Sequence, residues 1–180
     1  MLIALDISSS CIGYSLFDEN GKLMELNFVK FKNKHTIFQK LEQFKEETSF
    51  FLKFPIKEIA IEEPLKKMQG RYTNAETIAV LNFFNGMISS YLYHSFNVEP
   101  HYYNVNHARA LAYPGINEGR KGENFDIKHE VWKKVVELEP HINWKYGVRN
   151  SKLSEENYDM TDAYTCGVAH MLTKEKQQVK

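Results

Sequence analysis

Two short apolar runs each carry a carboxylate where burial is expected. Asp6 sits inside LIALDI, and Glu62 closes IAIE. An unpaired carboxylate in such surroundings is costly, so each needs a partner, a proton or a cation. Near the C-terminus, Asp159 and Asp162 are three residues apart on a predicted helix and so share a face. The same face continues through Cys166, Ala169 and Thr173, which marks it as the inward stripe. Acids in a first helical turn favour the dipole, which accounts for Glu155 and Glu156 but poorly for Asp162. Four converging acids would repel one another and hold their protons more tightly, a cost that divalent cations remove. Hard oxygen ligands select Mg²⁺, with Mn²⁺ able to substitute, over zinc. No HExxH or CxxC competes, and Cys11 and Cys166 are isolated. Two such cations ~3.5–4 Å apart suit phosphodiester hydrolysis, one activating a water and the other stabilising the leaving oxygen. Glu63 is the alternative to Glu62 as ligand, although strand alternation puts the two on opposite faces. No Ser/His or Tyr constellation with evident activation is present, so no covalent enzyme intermediate is expected.

The elements that must position these acids follow from periodicity. Leu2–Ile7 reads as a buried central strand, Cys11–Phe17 as a second, and Lys22–Phe31 as a third after the Asp18-Glu19-Asn20-Gly21 turn. A helix is predicted from Thr36, its N-cap, to Phe54 before Pro55. Lys57–Glu62 is a fourth strand. Thr73-Asn74-Ala75-Glu76 has capping-box spacing and opens a helix to about His94. Val98–Tyr103 is a fifth strand, and a short helix follows Asn106. Pro114–Asn124 reads as a glycine-rich loop, Asp126 as the cap of a helix to about Leu138, and Ser154–Thr173 as the last helix. This order predicts an α/β fold with a five-stranded mixed sheet, the first three strands an antiparallel meander, helices on both faces, and the first and fourth strands parallel neighbours. Both strand acids would then stand at one carboxyl-terminal sheet edge, where α/β proteins bind ligands.

Composition bounds the rest. The 180 residues, 43% hydrophobic and 13% aromatic, exclude disorder and fit one domain over 1–180. No apolar run approaches the roughly 18 residues needed to cross a bilayer, so no membrane partner is expected. The start, Met1-Leu2-Ile3-Ala4, has no basic flank typical of a signal peptide, and two cysteines fit a reducing cytoplasm. Basic and acidic residues balance at 23 each, so position matters more than the sum. Lys66, Lys67 and Arg71 follow Glu62 with no intervening acid beyond Glu63, and Tyr72 beside them is the best candidate to stack on a base. Arg120, Lys121 and Lys128 form a second basic group. His107, His129 and His170 are scattered and read as structural.

In order and spacing, LIALDISSSCIGYSLFDENG, EIAIEEPL and YDMTDAYTCGVAH resemble segments of the RuvC family of Holliday-junction resolvases, within the RNase H-like nuclease superfamily. FDIKHEVWKKV resembles the family's helix with a DNA-contacting lysine, which falls on Lys128. The likeness spans roughly Met1 to His170. It implies an RNase H-like fold, Asp6, Glu62, Asp159 and Asp162 as metal-binding acids, and a homodimer nicking a four-way DNA junction symmetrically. Ile7-Ser8 stands where the family commonly has Pro-Gly, and Leu65 where it often has a stacking aromatic. These departures point to a distant, phage- or virus-type member, at work in the cytoplasm of a bacterial or virus-infected host cell. The same acids would serve a nuclease of RNA–DNA hybrids, flaps or other branched DNA. A non-catalytic DNA-binding scaffold of the same fold would have no need of them. A sugar-kinase or actin-like ATPase would share the first-strand Asp but requires two lobes and Gly-rich adenosine motifs.

Overall fold

The computed structural model describes residues 1–64, 75–116, 125–147 and 152–178. Strands β1 (Leu2–Ile7), β2 (Cys11–Phe17) and β3 (Leu23–Lys30) form an antiparallel meander, while β4 (Glu58–Glu62) and β5 (His101–Tyr103) add in parallel on the other side of β1. The five strands lie in the order β3-β2-β1-β4-β5, with the meander and the parallel β1–β4 pairing as the sequence predicts. The described residues also form five α-helices: α1 (Ile37–Glu47), α2 (Ala75–Phe96), α3 (Val105–Ala112), α4 (Ile127–Leu138) and α5 (Glu156–Gln178).

Strand alternation divides the core in two. Ile3, Leu5, Ile7, Ile59 and Ile61 face a layer that includes Phe44, Phe51, Phe84, Ile88 and Leu92. Leu2, Ala4, Phe17 and Ala60 face the opposite layer, with Val131, Val135, Met160, Tyr164 and Cys166. Two-residue periodicity carries the second series onward to Asp6 on β1 and Glu62 on β4. Both acids therefore face the α3–α4–α5 layer. Among the described residues, no helix is long and apolar enough to cross a membrane.

The last helix runs on to Gln178, five residues past the expected Thr173. Three other boundaries differ from expectation for a local reason. The helix predicted over Thr36–Phe54 stops at Glu47 and resumes as a 3₁₀ turn over Ser49–Lys53. Thr48 donates its hydroxyl to the Phe44 carbonyl at 2.6 Å, and the tighter turn delivers Phe51 to the core. The fifth strand begins at His101 rather than Val98, because Pro100 has no N–H to give the ladder. Helix α3 is capped by Asn104, two residues before the Asn106 expected. The Thr36 cap is present as a full capping box with Gln39, and Asp126 caps α4. The proposed Thr73 cap and most of the Pro114–Asn124 loop lie outside the described residues.

Candidate metal centre

The parallel register of β1 and β4 aligns Leu5 with Ile61, so Asp6 and Glu62 emerge side by side where the two strands end. Glu63 is turned away by alternation, and its amide donates to the Tyr103 carbonyl at 2.8 Å. The pairing thus selects Glu62 over Glu63 for this face.

Helix α5 brings the other acids, and it is seated directly on β2. A Cβ placed on Gly13 would lie 2.1 Å from the Asp159 carbonyl oxygen and 2.6 Å from the Met160 nitrogen. Only glycine admits this approach of helix backbone to strand. Gly13 is also the antiparallel partner of Asp6, so the contact that seats Asp159 adjoins the first acid. One turn on, Ser15 donates to the Ala163 carbonyl at 3.2 Å. A further turn on, Gly167 lies against the Phe17 ring. The start of α5 is pinned by buried Asn157, which accepts from the Lys145 amide at 2.9 Å and donates to the Lys145 and Ser154 carbonyls.

These supports bring carboxylate oxygens of Asp6, Glu62 and Asp162 within 4.8 Å of one another. Asp159 stands outside that triangle, hydrogen-bonded to the Cys11 thiol, though its charge still acts on Asp6. Burial, then repulsion from Glu62, Asp162 and Asp159, pushes the Asp6 carboxyl well above its ordinary range. Glu62 is pushed up to about 8, chiefly by burial and then by Asp162. Burial likewise raises Asp159 to about 6, against the opposing pull of the Cys11 bond and Lys128. The Lys128 charge favours ionisation of all three, although its side chain is exposed.

The donor set fits a hard divalent cation. It consists of oxygen only, it is held by three separate elements, and Glu62 Oε2 is buried with no hydrogen-bond partner among the described residues. An orphaned buried carboxylate oxygen beside two other acids is the environment that a cation relieves.

Arg109 is the residue that sequence reasoning missed. It is buried on α3, and its Nη2 donates to Asp162 Oδ1 at 2.7 Å and Oδ2 at 2.9 Å, with Nε to Oδ1 at 3.2 Å. Nothing in NHARALA distinguishes a buried arginine from a solvated one. Of the basic and aromatic residues nominated for nucleic acid, Lys66, Lys67, Arg71, Tyr72, Arg120 and Lys121 lie outside the described residues. None of the three histidines belongs to the acid triangle. His170 bridges Glu58 and Tyr103, His129 stacks on Trp132, and His107 is exposed.

No protein-family model matches the sequence, and no curated protein matches it. Solved structures do. Thermus thermophilus RuvC in complex with Holliday junction substrate superposes with a TM-score of 0.64 at 11% identity, covering 97% of this chain and 94% of that one. Thermus thermophilus RuvC determined separately gives 0.62 at 11% identity, covering 98% and 96%. The yeast mitochondrial Holliday junction resolvase Ydc2 gives 0.62 at 11% identity, covering 98% and 80%. With so few identical residues, the match lies in the arrangement of the sheet and its helices along nearly the whole chain. The fold is therefore that of the RuvC-type, RNase H-like α/β proteins.

Proposed function

We propose that this chain is a divalent-metal-dependent, structure-selective DNA endonuclease that resolves four-way junctions, acting as a homodimer and nicking two strands of like polarity. The observation that carries this reading is the triangle of Asp6, Glu62 and Asp162 oxygens within 4.8 Å at the carboxyl edge of the central strands. The fold supports it, since structures of that arrangement include a resolvase with its junction substrate.

Asp6, Glu62 and Asp162 would hold Mg²⁺, with Asp159 completing the set beside them. When bound, the cation supplies charge stabilisation to a phosphodiester undergoing hydrolysis and lowers the pKa of water. The chain's own contribution is orientation. Gly13 lets α5 approach, and Arg109 holds Asp162 through its guanidinium. Lys128 would contact a phosphate near the acids. Lys66, Lys67, Arg71 and Tyr72 follow Glu62 closely in the chain and would continue the DNA contact, as would Arg120 and Lys121. A two-fold protein suits a symmetric junction. Exposed Val80 and Phe83 of α2 are compatible with such a contact.

The test is a nicking assay on a synthetic four-way junction beside linear duplex and an RNA–DNA hybrid, with and without Mg²⁺. Paired nicks in the junction that need Mg²⁺ and leave linear duplex intact are the expected result. Preference for the hybrid would reassign the substrate, and equal cleavage with and without the metal would overturn the site.

A further inference from the structure

We propose that Arg109 is a positioning residue, holding the Asp162 carboxylate in the orientation in which it ligates the cation. The inference rests on the metal-site reading above and extends it to a residue that is not an acid. Arg109 is 5% exposed and Asp162 3%, so neither side chain has water as an alternative partner. The guanidinium gives three hydrogen bonds to this one carboxylate, two of them to Oδ1. A forked, planar donor fixes the plane of a carboxylate as well as its position, which an ammonium does not.

The backbone around the pair is anchored on both sides. Asn104 caps α3 by accepting from the Asn106 and His107 amides at 3.1 and 3.4 Å. This cap directly follows Tyr103, the strand partner of Glu62. At the other end of α3, the Tyr113 hydroxyl meets Thr165 Oγ1 on α5 at 3.3 Å. Arg109 is thus carried on a short helix fixed to the strand pair bearing Glu62 and to the helix bearing Asp162. It sets the position of the third acid relative to the second. Partners that orient metal ligands in this way are worth about 10- to 100-fold in metal affinity or activity.

The rival role is simple charge compensation, and the two differ in sign. A guanidinium that only neutralised Asp162 would repel an incoming cation, so its removal would tighten metal binding. The experiment is calorimetric titration of Mn²⁺ alone into the wild-type chain, R109K, R109Q, D162N, R109K/D162N and E62Q. Wild type is expected to bind Mn²⁺ and E62Q to lose it. R109K keeps the charge but not the fork and is expected to bind about 10- to 100-fold more weakly. R109Q is expected to fall in the same direction. The double variant should bind no more weakly than D162N, because Arg109 acts through Asp162. Equal or tighter binding by R109K or R109Q, with E62Q deficient, overturns the role of Arg109 and leaves the metal site standing. Absence of Mn²⁺ binding by wild type overturns both. Should the Arg109 variants fail to fold, the wild-type chain with ¹⁵N-labelled arginine decides the matter. The Arg109 Nε–H resonance is expected to stay protected from exchange at saturating Mg²⁺, and its loss on adding the cation overturns the proposal.

Discussion

Gly13→Ala tests how closely the site depends on one backbone contact. The added Cβ would sit 2.1 Å from the Asp159 carbonyl oxygen, whereas ordinary contact begins at 3.4 Å. Relief requires α5 and β2 to separate by about 1.3 Å, the difference between those distances. Neither obstructing group is a side-chain tip that can rotate away, because both are backbone. The helix can retreat, carrying Asp159 and Asp162, or the strand can retreat, carrying its ladder partner Asp6. Either movement opens the acid triangle. Overpacking of this kind costs about 1–3 kcal/mol of stability, and a displacement of about 1 Å at reacting groups costs on the order of 100-fold in rate. Gly167→Ala provides the comparison on the same helix. Its Cβ would meet the Phe17 ring at 2.3 Å, beside a side chain and past both acids on the helix, five residues beyond Asp162. It should lose comparable stability but keep turnover within a few-fold. The measurements are thermal unfolding, Mn²⁺ affinity and Mg²⁺-dependent nicking of a four-way junction. A G13A protein with wild-type Mn²⁺ affinity and turnover would refute the argument that this glycine sets the spacing of the acids.

Other perturbations have equally direct outcomes. Asp6→Asn should abolish cleavage while junction binding is retained or tightened, because a charge that repels phosphate is removed; cleavage and electrophoretic mobility assays read the two effects separately. The raised carboxyls of Asp6, Glu62 and Asp159 bind protons more tightly folded than unfolded. Metal-free stability should therefore be greatest below the ordinary carboxylate range and decline as pH rises through about 8, where Glu62 ionises. Mg²⁺ should flatten that decline, since it favours the ionised acids, and its binding should release protons; melting curves from pH 5 to about 9 with and without Mg²⁺ check both. His170→Ala removes the link from Glu58 at 2.6 Å to the Tyr103 hydroxyl at 2.9 Å, for an expected loss of about 1–3 kcal/mol with Mn²⁺ affinity unchanged. At Gly86, where an added Cβ meets nothing within 4 Å, alanine should stabilise α2 by about 0.5–1 kcal/mol in thermal unfolding.

Much of the architecture was legible because it rests on periodicity. The near-continuous apolar runs LIALDI and EIAIE mark strands buried on both faces, and the observed register puts Asp6 and Glu62 side by side on one of those faces. The Asp18–Gly21 turn forced the β2–β3 hairpin, and Gly21 indeed adopts a positive φ of 77°. Boundaries were less legible because they depend on single hydrogen bonds. Thr48 reads as one more helical residue until its hydroxyl is seen on the Phe44 carbonyl. Pro100 was visible in the sequence, and its missing N–H was enough to shorten the predicted fifth strand.

The site divides along the same line. An acid inside an apolar run is a local anomaly, so Asp6 and Glu62 stand out from their immediate neighbours. Asp162 stands out because its helical face continues into Cys166 and Ala169, both buried. The supporting residues produce no such anomaly. Gly13 follows a hydrophobic residue in an ordinary strand, and only the crossing of α5 shows that its missing side chain makes room for Asp159. Cys11 is one of two unremarkable thiols until it is found beside that same acid. Arg109, on a short polar helix, reads as a solvated cation until Asp162 is placed opposite it, 53 residues away in the chain. An acid placed against the local pattern carries its own signal in one dimension. The residues that hold such acids in register are defined by what they meet, and those meetings arise only when β2, α3 and α5 are brought together.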